Sequence, residues 1–454
     1  MSPTPTPTPT PASRAVKPLL LRGGRVVTMD ETRRVLDGDV LVEAGRIKAV
    51  GRVSKRPPTV LDCTGLIILP GLIQAHIHLC QTLFRGLADD LALEAWLAKR
   101  IWPLEAAHTE ESIYWSAMLG AAELLLGGTT AILDMETVRH TGAAFEALET
   151  IGMRATAGKC LMDAPSAPAS LREPTDRALR ESADLCAQWH GAAGGRLRYS
   201  FAPRFAPSCT GPLLRAVSDL AERTGAGIHT HAAETPLELQ MVKRATGHDE
   251  VAYLDSVGIS GPRATLAHCV WVDKEAIRRL ARQGTNVVHC PSSNLKLGSG
   301  VAPIPEMLAA GCRVGIGADG APCNNRLDAF TEMRLAALIQ KPRLGPEALP
   351  AAQALELATL GGARALGLES EIGSIEVGKR ADLVVLDLDG PHAQPAAAEL
   401  VSRIVYSARA ADVRHVVVDG RLVVRDGALK TADLGEICRA ANAQSRRLRR
   451  AVGC

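Results

Sequence analysis

The sequence predicts an α/β protein: an eight-stranded (β/α)8 TIM barrel carrying a small β-sandwich built from both chain ends. Three observations predict it. Through the middle of the chain, apolar runs of four to six residues alternate with longer helix-like stretches. Two sets of short, glycine-punctuated strands with similar chemistry lie far apart, one near each end. Histidine and aspartate recur at the ends of the central apolar runs, the end of a barrel strand at which chemistry collects.

Residues 1–16 alternate proline and threonine, which predicts an extended tail without packed structure. Residues 17–70 contain LLLRGGRVVTM, GDVLVEAGRIKAVG and VLDCTGLIILPG. Their alternation of apolar and polar residues suits half-buried antiparallel strands. Residues 71–366 repeat a strand–helix unit: TTAILDME before AAFEALETIG, LRYSFAP before GPLLRAVSDLAERTG, GAGIHTHAAE before LELQMVKRATG, ATLAHCVW before KEAIRRLARQG, then TNVVHCP, and CRVGIGADG before FTEMRLAALIQ. Such repetition implies parallel strands, and about eight units close a barrel. Residues 367–430 supply the second half of the sandwich from ADLVVLDLDG, SRIVYSA and DVRHVVVDGRLVVRDG. Residues 431–454 read as a final helix whose arginine-rich end forms a solvated face.

Composition narrows the function classes. The chain has 454 residues, too many for one small domain, although a barrel of about 250 residues can stand as one. Hydrophobic residues at 46% and charged residues at 22% are those of an ordinary globular protein. Aromatics are only 3%, so the core must be aliphatic. The net charge is +3 and no basic block occurs, which argues against nucleic acid and for a small-molecule partner. Eleven scattered cysteines with no C-x-x-C suit reduced thiols in the cytoplasm. No apolar run reaches the roughly 18 residues needed to span a membrane, and the first residues do not form a signal peptide.

His76 and His78 end the run LIILPGLIQAHIH. Residues i and i+2 of a strand point the same way, so both imidazoles face the barrel mouth. His231, His268, His289 and Asp319 end four further runs, in a chain with only 12 histidines. Imidazoles plus one carboxylate, without a cysteine ligand pattern, suit Zn2+, with Fe2+ or Mn2+ as alternatives. A catalytic zinc lowers the pKa of its water from about 15.7 to about 7 and needs a nearby proton-transfer group. Glu234, three residues beyond His231, meets that need; its bland reading is a helix-capping carboxylate.

The segments PGLIQAHIH, RGLADDL, IWPLE, HTHAAE, LAHCVW, HCPSSNLKLGSG, GADGAPCNN, EMRLAALIQK and GARALGLESEIGSIEVGKRADLVVLD together resemble the amidohydrolase superfamily, in the branch that contains S-adenosylhomocysteine/methylthioadenosine deaminases, 5′-deoxyadenosine deaminases, guanine deaminases and triazine hydrolases. The similarity runs from about residue 18 to 430. It implies one zinc per subunit held by His76, His78, His231 and Asp319, with no bridging carboxylated lysine and hence no second metal. It implies that His268 hydrogen-bonds the activated water, that Asp319 takes the water's proton and passes it to the departing ammonia, and that Glu234 protonates the ring nitrogen beside the attacked carbon. It also implies a homo-oligomer. The H-x-E with P-C-x-x-C pattern of cytidine-type zinc deaminases is absent.

The stretch LALEAWLAKRIWPLE resembles the nucleoside-handling segment of the adenosine-type branch. That likeness gives Trp96 the sugar or its 5′ substituent and Glu105 the ribose hydroxyls, which a carboxylate suits as a double acceptor. Helix-core packing is the other reading of Trp96. Arg204 in SFAPRFAPSCT departs from the histidine common in methylthioadenosine/S-adenosylhomocysteine deaminases and is similar to the purine-holding arginine of guanine deaminases. A 5′-modified adenosine is the expected substrate. Guanine or a pterin, an s-triazine, and a non-catalytic scaffold barrel are the alternatives.

Overall fold

The structure, a computed structural model, describes residues 16–453, so the proline–threonine run up to residue 15 lies outside the described residues. Eight strands follow one another round the barrel: β1 (Leu72–His78), β2 (Thr129–Met135), β3 (Arg154–Gly158), β4 (Leu197–Pro203), β5 (Gly227–Ala232), β6 (Ala264–His268), β7 (Asn286–His289) and β8 (Arg313–Ile316). Each pairs in parallel with the next. Past β8, Asp319–Gly320 pairs in parallel with Ile77 and His78 of β1 and closes the ring. Strands covered on both faces are buried throughout, so they read as nearly continuous apolar runs.

Local chemistry punctuates the strand–helix units. Thr210, Thr235 and Asp273 cap the helices Gly211–Thr224, Pro236–Thr246 and Lys274–Gln283 by accepting a backbone N–H in the first turn. Each of these helices ends at a left-handed glycine. Gly317 serves another purpose. A Cβ there would lie 2.6 Å from the carbonyl oxygen of His76 and 2.8 Å from its amide nitrogen. Only glycine lets the chain beyond β8 settle on β1 and bring Asp319 beside His76 and His78.

The small domain is one mixed sheet from both ends. Strand Ile67–Pro70 runs antiparallel to Leu383–Leu386, with Leu383 opposite Pro70 and Leu386 opposite Ile67. The long strand Leu19–Val27 pairs with Val35–Glu43 on one edge and divides its other edge between Thr59–Asp62 and Ile67–Pro70. That division folds the sheet over a core containing Leu19, Val40, Ile68, Leu383 and Val417. One expected strand is a helix: SRIVYSA lies in Leu400–Tyr406 and its end, capped by Glu399, with Ile404 and Val405 buried. Its β-branched residues favour a strand, but packing against the helix Ala351–Glu356 overrides local propensity.

Arg154 at the start of β3 joins the two parts. Its Nε and Nη2 donate to Asp382 at 2.6 and 2.9 Å, and Nη2 reaches Asp419 at 3.3 Å. The final helix, Leu434–Val452, buries Ile437, Ala441, Gln444 and Leu448 at helical spacing. Ala441 and Leu448 join Leu83, Phe84, Trp96 and Ile101 in one apolar cluster, while Arg446, Arg447 and Arg450 stay exposed. The helix therefore props the segment that carries Trp96 and Glu105. No helix among the described residues is long and apolar enough to cross a membrane, and none of the described cysteines is paired.

Candidate active site

The barrel mouth brings His76, His78, His231, His268 and Asp319 together. The Nε2 atoms of His76 and His78 each lie 3.3 Å from Asp319 Oδ1, and His78 Nε2 lies 3.1 Å from His231 Nε2. Two overlapping triads fall within ligand reach, His76–His78–Asp319 and His76–His231–His268. The far nitrogen of each ring is already taken. His78 Nδ1 meets the Met135 carbonyl at 2.8 Å, His231 Nδ1 the Arg204 carbonyl at 2.6 Å, and His76 Nδ1 His229 Nε2 at 2.8 Å. A ring that donates from Nδ1 keeps a lone pair on Nε2. His76 Nε2 is buried with no hydrogen-bond partner, so the donor set fits a divalent cation at this point.

Burial holds the His78 pKa down to about 3, helped by neighbouring His76. Burial would raise the Asp319 carboxyl, but His76, His78 and His268 hold it well below the ordinary aspartate value. Both effects favour the ligand forms, neutral imidazole and ionised carboxylate.

One segment, HCPSSNLKLGSG, orients three further groups. Ser293 Oγ donates to Asp319 Oδ2 at 2.6 Å, Asn294 Oδ1 lies 2.8 Å from His268 Nδ1, and Ser299 Oγ donates to Glu234 Oε1 at 3.1 Å. His268 Nε2 then stands 3.6 Å from Glu234 Oε2 and 3.9 Å from Asp319 Oδ2. Burial lowers the His268 pKa, yet the Glu234 and Asp319 carboxylates outweigh it and the net shift is upward. Burial pushes Glu234 up to about 7. Backbone strain collects here too: Ala233, His268 and Asp319 hold φ of 53°, 72° and 63° without being glycine.

Beside this cluster is a narrow cavity of about 30 Å3 walled by Leu93, Trp96, Leu97, Phe205 and Leu297, with Gln81, Arg204 and Glu234 among its polar groups. Trp96 belongs both to the apolar cluster and to the cavity wall. Glu105 is not on that wall. Its Oε2 accepts from Arg204 Nη1 at 2.7 Å, and its Oε1 accepts from Arg204 Nη2 at 3.2 Å and from Gln81 Nε2 at 2.9 Å. Glu105 and Arg204, read separately from the sequence, thus form one buried pair behind the cavity. A larger cavity of about 490 Å3, beside Trp271 and Lys243, contains none of the metal-binding groups.

Sequence reasoning missed His229, Ser293, Asn294 and Ser299. His229 was findable, since it stands two residues before His231 as His76 stands before His78. The serines and Asn294 carry no spacing signal. His289, which the run NVVHC offered as a ligand, is buried with neither ring nitrogen partnered and belongs to neither triad.

Residues 67–423 match the model of the amidohydrolase family. A 5-methylthioadenosine/S-adenosylhomocysteine deaminase of Desulforudis audaxviator is 41% identical over 95% of this chain and 99% of its own length. A 5′-deoxyadenosine deaminase of Methanosarcina mazei is 38% identical over 90% of this chain and 93% of its own. A crystal structure of an adenosine deaminase from Xanthomonas campestris with bound zinc superposes with a TM-score of 0.89 at 34% identity, covering 95% of this chain and 98% of that one. A matched model over most of the chain, near-full-length relatives and a barrel that gathers four histidines and an aspartate at its mouth agree: this chain belongs to the amidohydrolase family.

Proposed function

We propose that this protein is a zinc-dependent deaminase of 5′-modified adenosines, working in the cytoplasm as a homo-oligomer. The convergence of His76, His78, His231 and Asp319 beside a protonatable Glu234 carries this reading. In the reaction the oxygen of water joins the amine-bearing ring carbon, the C–N bond breaks, ammonia leaves and a carbonyl remains. His76, His78, His231 and Asp319 would hold one zinc per chain, which would supply an activated water at neutral pH. Iron or manganese would suit the same donors.

Asp319 is ionised and fixed by Ser293, so it can accept the water's proton and return it to the leaving ammonia. Glu234, with a pKa near neutrality, can deliver a proton to the ring nitrogen so that negative charge does not build up on the purine. His268, fixed by Asn294 and facing both carboxylates, can donate to the attacking oxygen. Positioned proton transfers of this kind are each worth about 10²–10⁴-fold in rate.

The apolar wall around Trp96 suits the sugar and a 5′ substituent. A carboxylate offers about four acceptor positions. Arg204 and Gln81, which line the cavity, use three of those on Glu105, so Glu105 acts on the substrate by orienting these two residues from behind. Arg204 keeps further N–H donors for a purine ring nitrogen. Parallel measurement of ammonia release from 5′-deoxyadenosine, methylthioadenosine, S-adenosylhomocysteine, adenosine, adenine, guanine and a chlorinated triazine tests the reading. Preference for the adenosines supports it, and preference for guanine or silence on all purines refutes it.

A further inference from the structure

Glu234 sits on a turn that two other carboxyl groups hold from behind. The N–H of Ala233 donates to Glu250 Oε2 at 2.9 Å, and the N–H of Glu234 donates to Glu238 Oε2 at 2.7 Å. Both glutamates are buried, at 0% and 4% exposure. Among the described residues no donor reaches the second oxygen of either group, and the amides that hold the two carboxyls belong to successive residues, which brings the carboxyls into contact with each other. Two ionised carboxylates cannot share such a contact, because each is an acceptor only and both carry negative charge.

Helix capping explains part of this geometry but not all of it. Glu238 lies in the first turn of its helix, where Thr235 caps it. The helix Glu250–Ser256 has its own cap, Asp249, which accepts from Ala252 N–H. Glu250 instead turns away to the residue that precedes Glu234. Ala233 itself holds a left-handed φ of 53°, a conformation that needs such external support in a residue with a side chain.

We infer that Glu238 and Glu250 share a single proton and together form the clamp that sets the position of Glu234. They are positioning residues, and the inference rests on the reading above that Glu234 protonates the substrate ring. The shared proton keeps the clamp at one negative charge, which lets two buried acids stand behind a third. Burial is the largest influence on both groups and pushes each toward protonation, and the charge of Glu238 adds to it at Glu250. The other ionisable groups facing the pair are Glu234, His268 and Cys269 on the barrel side, and Lys243, Arg244 and Asp249 along the neighbouring cavity.

Comparison of Glu250→Gln with Glu250→Ala in the zinc-loaded enzyme tests the inference. The carboxamide can accept from Ala233 N–H and donate to an ionised Glu238, which reproduces the charge and bonding of the shared-proton pair. Glu250→Gln should retain kcat and leave the alkaline limb of the pH–rate profile in place. Glu250→Ala should lower kcat about 100-fold, the scale set by a small misplacement of a catalytic group, with little change in KM. An infrared band of a protonated carboxyl, present at neutral pH in the parent and lost in Glu250→Gln, should accompany these results. A shifted alkaline limb in Glu250→Gln, or a loss as large as that of Glu250→Ala, would overturn the shared proton. If the parent released no ammonia from any adenosine, the functional reading would fail, while the infrared difference would still test the pair.

Discussion

Replacing Arg154 by methionine should unfold the protein more easily while leaving the chemistry intact. Arg154 and Asp382 are both buried, at 3% and 4% exposure, so water cannot take over for a lost partner. The guanidinium makes two short bonds to Asp382 and one longer bond to Asp419. Once it is removed, the only remaining hydrogen bond to the Asp382 carboxylate among the described residues is from Asp419 N–H, at 2.8 Å. Breaking a buried ion pair from one side costs about 3–5 kcal/mol, mostly the penalty for the charge left behind. At 1.4 kcal/mol per tenfold that is about two to three and a half powers of ten in the folding equilibrium. Neutralising both ends in Arg154→Met/Asp382→Asn removes that stranded charge and should recover much of the loss. Urea midpoints for the parent, the two single variants and the double variant would measure it, with zinc content and kcat of the folded protein as controls. A single variant within about 0.5 kcal/mol of the parent, the range of ordinary surface changes, would refute the argument.

Other expectations concern the site and its supports. His229→Leu should weaken zinc affinity about 10- to 100-fold, because it frees the far nitrogen of His76; chelator competition would read this, and unchanged affinity would contradict it. Gly317→Ala should lose both stability and zinc, since the added Cβ meets the backbone of His76 at 2.6–2.8 Å; a normal melting midpoint with full zinc content would be the contrary result. Glu332 is pushed up to about 7 by burial, against about 4.3 in an unfolded chain. Between those values the folded state binds the extra proton, so this group makes stability fall as pH rises through the window. Glu332→Gln should remove that slope and gain on the parent from about pH 4 to pH 7. A stability difference independent of pH would exclude the effect.

Much of this was legible in the sequence because barrel strands buried on both faces are apolar runs, and their helices carry threonine, aspartate and glycine at the ends. Strand β3 was not legible: beyond Arg154, RATAG contains only small residues and lacks the apolar weight of its neighbours. The helix Leu400–Tyr406 misled for the opposite reason, its valine and isoleucine speaking for a strand that packing did not allow. At the site, single-residue chemistry was readable and pairing was not. The spacing of His76 and His78 predicts a shared face. Nothing in one dimension predicts that Glu105 meets Arg204 across 99 residues, or that Ser293 fixes Asp319.

Titration of metal-free protein with zinc, read as ammonia released from 5′-deoxyadenosine, tests the central claim most directly. Activity should rise in proportion to added zinc and level off at one equivalent per chain. Full activity without metal, a requirement for two equivalents, or a zinc-loaded protein that releases no ammonia would contradict the account.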